Sequence, residues 1–274
     1  VHQQDDDGAQ IADVIGRTAA RGGRVIIPAF AIGRVEELIY WLKRLEEAKR
    51  IPVLPVFVDS PMAIEALSRY QNRLAELDPD LHPEVRDDKA PHGPADHGEG
   101  VEARQRHAQR ERQLCAFCTE RFRTIGSAAE SKQLTQSRMP AIIISASGMA
   151  TGGRVLHHLK AALPDARNTV LFVGYQAEGT RGRQLVNGEK TVKIHGEIIS
   201  VRADVALVES MSAHADSNEI LRWLGGFTKA PRITFIVHGE PVAMEALTAS
   251  IHDQLGWISK MPLHGETVVL EALQ

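Results

Sequence analysis

The sequence predicts an α/β fold built on a mostly parallel sheet with helices on both faces. Three observations lead there. Short runs that are apolar at consecutive positions, such as Ile142-Ile143-Ile144 and Val170-Leu171-Phe172-Val173, read as strands covered on both sides. Segments with helical periodicity separate these runs. Each run then ends in a loop rich in Gly, Ser or Pro that opens a helix, the alternation that characterises parallel sheets.

Taken in order, Gln10 to Ala20 reads as a helix, and Gly22-Gly23 breaks it before the strand Arg24-Val25-Ile26-Ile27. Gly33 opens a helix that gathers Val35, Leu38, Ile39, Leu42 and Leu45 on one face. Pro55-Val56-Phe57-Val58 is the next strand. It ends in Asp59-Ser60-Pro61, a helix start with proline at the first position. Residues 78 to 113 interrupt the rhythm with four prolines, several histidines and an Arg/Glu/Gln-rich run, read as a mobile loop and a solvated helix. After Gly188, Thr191-Val192-Lys193-Ile194 and Glu197-Ile198-Ile199-Ser200-Val201 form a hairpin pattern. Two strand-to-helix units and a closing pair of short strands follow. A domain boundary is therefore expected near 188, giving domains 1–187 and 188–274.

Composition narrows the class. The 274 residues are 43% hydrophobic and 24% charged, enough for an ample core. No stretch of 18 apolar residues and no signal-peptide pattern is found, so a membrane span or secretion is not expected. Two cysteines make no disulfide framework and suit a reducing cytoplasm. Cys115-x2-Cys118 is read as a pair of core thiols rather than half of a zinc site, because two further ligands are wanting. A net charge of −3 gives no global case for nucleic acid, so any such contact must come from local clusters. The opening run from Val1 looks like the middle of a longer protein.

Four loops are candidates for anion binding. Ser145, Ser147, Gly148, Gly152, Gly153 and Arg154 lie in a strand-to-helix segment whose Gly-x4-Gly spacing resembles a phosphate loop. Arg154-Val155 stands where Lys-Ser or Lys-Thr would be, so nucleotide hydrolysis there is not expected. Backbone N–H groups at a helix start still favour an anion; a tight turn is the competing reading. Tyr175, Thr180, Arg181 and Arg183 occupy a second such loop, with a stacking face and two guanidinium forks. Arg34 and Ser60 mark the third and fourth. All four are expected at one sheet edge, where α/β folds collect ligands.

His214, in Ser212-Ala213-His214-Ala215-Asp216, and His238, in Val237-His238-Gly239-Glu240, each follow a strand-like run and precede a helix. Imidazole there can ligate a metal or move a proton. The bland alternatives are a strand-end polar residue for His214, with Asp216 as a helix cap, and a buried imidazole for His238. His195 reads as a turn residue, and His157 and His158 as helix-surface residues.

On these motifs, with Ile26-Ile27-Pro28-Ala29-Phe30-Ala31-Ile32-Gly33-Arg34, Asp59-Ser60-Pro61-Met62-Ala63, Ser145-Ala146-Ser147-Gly148-Met149 and Gly174-Tyr175-Gln176, the chain resembles the β-CASP nucleases. These are metallo-β-lactamase-fold enzymes carrying an inserted nucleic-acid-binding domain. The resemblance implies that 1–187 is the β-CASP domain and 188–274 the closing part of the lactamase-like αββα domain. It implies His214 as the catalytic proton donor or transition-state contact, His238 as a zinc ligand, and Asp216 and Glu240 as outer-sphere partners. It also implies a zinc pair in the intact enzyme and single-stranded RNA as substrate, since histidine at position 238 looks like the RNA-cleaving branch. The family's upstream His-x-His-x-Asp-His segment is absent from this sequence, so the chain alone is expected to be inactive, with no zinc or one loosely held. A zinc-dependent cytoplasmic ribonuclease is the leading expectation, with homodimerisation left open. A non-catalytic RNA-binding module and a small-molecule-binding α/β domain are the rivals.

Overall fold

The computed structural model describes residues 8–71, 117–209 and 214–270. The loop and solvated helix expected within 78–113, Cys115, and Ser212-Ala213 of the first histidine segment lie outside the described residues. The chain divides into two compact units, one within Gln4–Met211 and the other within Ser212–Gln274.

In the first unit the elements run α1 (Ala9–Ala20), β1 (Val25–Pro28), α2 (Arg34–Glu47), β2 (Val56–Asp59), α3 (Pro61–Gln71), β3 (Phe122–Thr124), α4 (Ala128–Gln136), β4 (Ile142–Ser145), α5 (Val155–Ala162), β5 (Thr169–Val173) and α6 (Arg181–Val186). The hairpin β6 (Thr191–Ile194) and β7 (Glu197–Ser200) and the strand β8 (Asp204–Val208) complete it. Six strands form one sheet in the order β3-β2-β4-β1-β5-β8, every neighbouring pair parallel. The hairpin strands pair only with each other, antiparallel, and His195 turns between them with φ 48°.

The two-sided burial anticipated from the apolar runs follows from the pleat, which sends alternate side chains to opposite faces. Val25, Ile27, Val56, Val58, Ile142 and Ile144 join α1, α2 and α3 in one core. Ile26, Phe57, Ile143, Val170 and Phe172 join α4, α5, α6 and the hairpin in the other. The chain therefore leaves β1 toward one face and leaves the adjacent β4 toward the opposite face. That reversal makes the β1/β4 boundary a topological switch point, where open α/β sheets form a crevice.

What fixes the carboxyl edge of the sheet is a buried carboxylate. Asp59, the last residue of β2, is fully buried. Its Oδ1 accepts from Nη1 of Arg154 at 2.7 Å, and its Oδ2 accepts from Nε2 of His158 at 2.7 Å and from the Ser131 hydroxyl. Its carbonyl accepts from the Ser145 hydroxyl at 2.7 Å. Thr135 Oγ1 lies 3.1 Å from the other His158 ring nitrogen. One residue thus ties β2 to α4 and α5 through its side chain and to β4 through its carbonyl. His158, expected on a helix surface, is instead fully buried. It lies on the stripe of Val155, Leu159 and Ala162, and the Asp59 carboxylate offsets the cost of placing imidazole there.

The second unit contains α7 (Ser217–Leu224), β9 (Thr234–Phe235), α8 (Pro241–Leu255) and β10 (Ser259–Lys260). Leu221, Leu224, Ile236, Ile251 and Trp257 form its core. The expected closing pair of strands is realised as a single strand, β10, parallel to β9. Residues 267–270 adopt no strand and are largely exposed, consistent with a segment that has no ladder partner. Cys118 is half-buried and disulfide-bonded, which corrects the core-thiol reading. A disulfide sulfur is no thiolate, so zinc binding through this residue falls with it. Among the described residues, no helix is long and apolar enough to cross a membrane.

Two stability predictions follow from buried carboxylates. Burial alone would raise the Asp59 pKa, but the bonds from His158, Ser131 and Arg154 outweigh it and hold the carboxyl below its ordinary value. Its contribution is therefore complete above the unfolded-state pKa of about 3.9 and is lost as pH falls through the lower folded value. Asp59→Asn should cost about 3–5 kcal/mol at neutral pH and remove that acid-side loss, read from urea midpoints across pH. Glu36 in α2 is the opposite case: it is buried, neither carboxyl oxygen has a partner of good hydrogen-bond geometry among the described residues, and burial raises its pKa more than the nearby Glu36 and Gly33 main chain lowers it. Glu36→Gln should raise neutral-pH stability by about 1–3 kcal/mol, a gain that shrinks on acidification as the wild-type carboxyl takes up its proton.

Candidate nucleic-acid interface and histidine turns

The four anion-loop candidates all leave the carboxyl ends of β1, β2, β4 and β5. Register brings Pro28 and Asp59 level with Ser145, so three of these ends are aligned across the sheet. At the switch point the loops after β1 and β4 almost touch. A Cβ at Gly148 would lie 2.9 Å from the Phe30 ring and 3.0 Å from the Phe30 nitrogen, so only glycine permits this approach. Gly153 has φ 77°, and a Cβ there would sit 2.6 Å from the carbonyl of Ala146. Both glycines are thus required by the path of the loop into α5.

The polar side chains of these loops mostly hold the loops themselves. Ser145 is buried on Asp59, and the buried Ser60 hydroxyl accepts from the Ala63 N–H at 3.3 Å. Ser147 Oγ accepts from the Thr151 N–H at 3.2 Å. Arg154, besides its bond to Asp59, donates to the carbonyl of Ile125 at 3.2 Å. Arg34 pairs with Glu37 along α2. Thr180 caps α6 by accepting from the Arg183 N–H. Arg181 donates to the carbonyls of Ala150 and, at 2.8 Å, of Lys193. The Arg183 guanidinium lies 5.1 Å over the Tyr175 ring and its Nε is 3.7 Å from Glu178. Gln176, in the motif Gly174-Tyr175-Gln176, is buried. Its amide donates to the carbonyls of Gly148 at 3.3 Å and Tyr175 at 3.1 Å, joining the β4 and β5 loops.

What faces outward is aromatic and apolar. Phe30 and Tyr175 are each 50% exposed. Phe30 is the residue that the focus on charge passed over; its signal is an aromatic placed directly after a strand and before a glycine-opened helix. Half-exposed rings set between helix starts offer stacking faces to bases while backbone N–H groups can meet phosphates.

The histidines belong to the second unit and share one local design. His214 stands two residues before Asp216, the N-cap of α7. Asp216 accepts from the Glu219 N–H at 2.9 Å, and Glu219 accepts from the Asp216 N–H at 2.8 Å. His238 stands two residues before Glu240, the N-cap of α8, with Pro241 in the first turn. His238 has φ 63°, uncommon for a residue with a Cβ. Both imidazoles are exposed, so the buried alternative for His238 is excluded. An exposed imidazole held in a left-handed turn is the kind of local strain that collects at functional sites.

A zinc pair needs more than this. Among the described residues no group of three or more His, Cys, Asp or Glu side chains converges, so those residues do not by themselves compose a metal site.

Comparison with known proteins agrees with the geometry. Residues 35–185 match the family model described as the Beta-Casp domain, and residues 198–262 match the Zn-dependent metallo-hydrolase RNA specificity domain. A ribonuclease of Thermus thermophilus is 33% identical over 238 residues, covering 87% of this chain and 48% of the relative. The transcription termination factor FttA of Pyrococcus abyssi is 31% identical over 268 residues, covering 95% of this chain and 37% of the relative. FttA of Thermococcus kodakarensis is 29% identical over 267 residues, covering 96% and 37%. The chain thus spans about half or less of the length of these relatives. On the Beta-Casp match over more than half of its residues and on these relatives, the chain belongs to the β-CASP family of metallo-β-lactamase-fold RNA-processing nucleases.

Proposed function

We propose that the full-length protein is a zinc-dependent ribonuclease and that this chain supplies its RNA-gripping domain and part of its catalytic edge. A cytoplasmic location and single-stranded RNA as the substrate belong to the same reading. The observation that carries it is the switch point itself, where the half-exposed rings of Phe30 and Tyr175 and the start of α5 share the carboxyl edge of a parallel sheet. The functional division is placed near residue 188, supported by the interval between the two family matches. In this reading Arg34, Ser60, Arg154, Arg181 and Arg183 act mainly by holding the loops in shape. Backbone groups and rings make the contacts with the strand, which gives weak sequence preference and strong salt dependence.

His238 is assigned one place in a zinc-ligand set whose other members lie outside the described residues, with Glu240 and Asp216 supporting the two histidine turns. Zinc, when bound, supplies a Lewis acid and a water acidic enough to attack a phosphodiester. His214 is assigned to the departing oxygen, which it would protonate, or to the crowded phosphorus centre, whose charge it would stabilise. The chain alone is expected to bind RNA without cleaving it.

In zinc-replete full-length protein, His238→Ala should lose metal and activity together. His214→Ala should keep its zinc while turnover falls about 10²–10⁴-fold. Zinc content by elemental analysis and single-turnover cleavage of an RNA oligomer read the two effects; undiminished turnover in the His214 variant would remove that residue from the chemistry. RNA binding by a full-length protein without zinc would shift the reading to a non-catalytic binding module. In the chain itself, Phe30→Ala and Tyr175→Ala should each weaken single-stranded RNA binding by about 1–3 kcal/mol. Unchanged fluorescence-anisotropy titrations would place the RNA path elsewhere.

A further inference from the structure

The sheet has a second polar edge that the family reading leaves unused. At its amino end, opposite the loops described above, a cavity of about 770 Å³ opens between the end of α4, the end of α5 and the start of β1. Four arginines line it: Arg24, Arg138, Arg167 and Arg202. The only carboxylate in the lining, Asp165, is already held by Arg167, whose Nη2 donates at 2.7 Å and Nε at 3.1 Å. Nearby Asp204 is likewise taken by Arg21 at 2.7 Å. Among the described residues, Arg24, Arg138 and Arg202 form no ion pair.

Arg24 is the telling member. Only 6% of its surface is exposed, although a buried guanidinium is ordinarily matched by a carboxylate. Its Nη1 reaches only main-chain carbonyls, of Leu134 at 3.4 Å and Thr135 at 3.3 Å, both long. These carbonyls lie at the C-terminal end of α4, where a cation is favoured but not neutralised. Burial lowers the Arg24 pKa; Asp165 opposes that shift, and Arg138 and Arg167 add to it. The exposed side chains of Arg138 and Arg202 stand at the rim. Beside this charge, Ala161, Pro164 and Ala166 contribute apolar wall.

We propose that this amino-edge cavity binds the phosphate of a nucleotide, with Arg24 as the buried anchor and Arg138 and Arg202 closing on it from the rim. Guanidinium forks match phosphate oxygens in pairs, and three unpaired cations suit a dianion better than a single carboxylate. The volume exceeds what an inorganic ion fills and lies in the range of small-molecule sites, leaving room for a sugar or base against the apolar wall. The four residues of β1 separate Arg24 from the carboxyl edge by about 13 Å, so the site is distinct from the switch-point crevice. The phosphate could belong to a free mononucleotide or to the terminal nucleotide of an RNA chain.

The test is calorimetric titration of the 274-residue chain at low salt with AMP and with inorganic phosphate. AMP should bind saturably at one site, and inorganic phosphate should compete more weakly. The double variant Arg138→Ala/Arg202→Ala, altered only at exposed positions, should keep the wild-type urea midpoint yet bind AMP at least about tenfold more weakly. Arg24→Lys, which keeps charge but loses the fork, should also weaken AMP. Displacement of AMP by a 5′-phosphorylated oligoribonucleotide, but not by its unphosphorylated twin, would assign the site to an RNA end. Failure of both oligomers to displace it would assign the site to free nucleotide. Absence of saturable binding of AMP and phosphate, or AMP binding unchanged in the double variant, would overturn the proposal. Neither result would bear on the carboxyl-edge reading, which rests on Phe30 and Tyr175.

Discussion

The geometry of the sheet's carboxyl edge rests on one ionised group placed where water cannot reach it. A carboxylate at the end of β2 is costly to bury, and Asp59 is tolerated because Arg154, His158 and Ser131 each donate to it. The same bonds draw α4 and α5 to the end of β2, while the Ser145 hydroxyl brings in β4. The order of the loops therefore follows from local electrostatics as much as from hydrophobic packing. The two cores press the helices onto the sheet without specifying how far along it each sits. The charge network sets that position, as directional polar contacts do when every member is satisfied.

Much of this architecture was legible in the residues. Five of the six main-sheet strands announce themselves as consecutive apolar runs, β3 being the exception, and flanking glycines and prolines mark several of the helix starts. The order of the strands was not legible. That β4 inserts between β1 and β2 depends on pairing between segments far apart in the chain, and three similar Ile/Val runs offer no signal to rank the partners. The division of labour among the loop arginines was also hidden. Arg154 and Arg181 look like phosphate forks in sequence, because nothing local reveals that a carboxylate or a carbonyl will fold back to meet them.

His158 is polar in a position that helical spacing assigns to the core. Its polarity suggested the surface, but its position three residues after Val155 and next to Leu159 put it on the buried stripe. Helical spacing was the better guide, and the aspartate needed to resolve the conflict lay far away in sequence. The histidine turns fared differently. Short-range signals, a strand-like run followed by His-x-Asp or His-x-Glu before a helical segment, were enough to place His214 and His238 at helix entries. Those signals end at the turn, so local sequence reveals the two helix entries and nothing of what stands around them in space.

The contact between Gly148 and Phe30 has a consequence for how such a surface can diversify. The aromatic ring leans on a neighbouring backbone and stays half in solvent, so it adds little to the folding energy. Its identity can drift toward another planar side chain, changing the face it presents to solvent, while the core and the charge network remain untouched. Position 148 has no such freedom, since any larger residue displaces the ring and reshapes the crevice. Change at this surface is thereby channelled through one half of a touching pair.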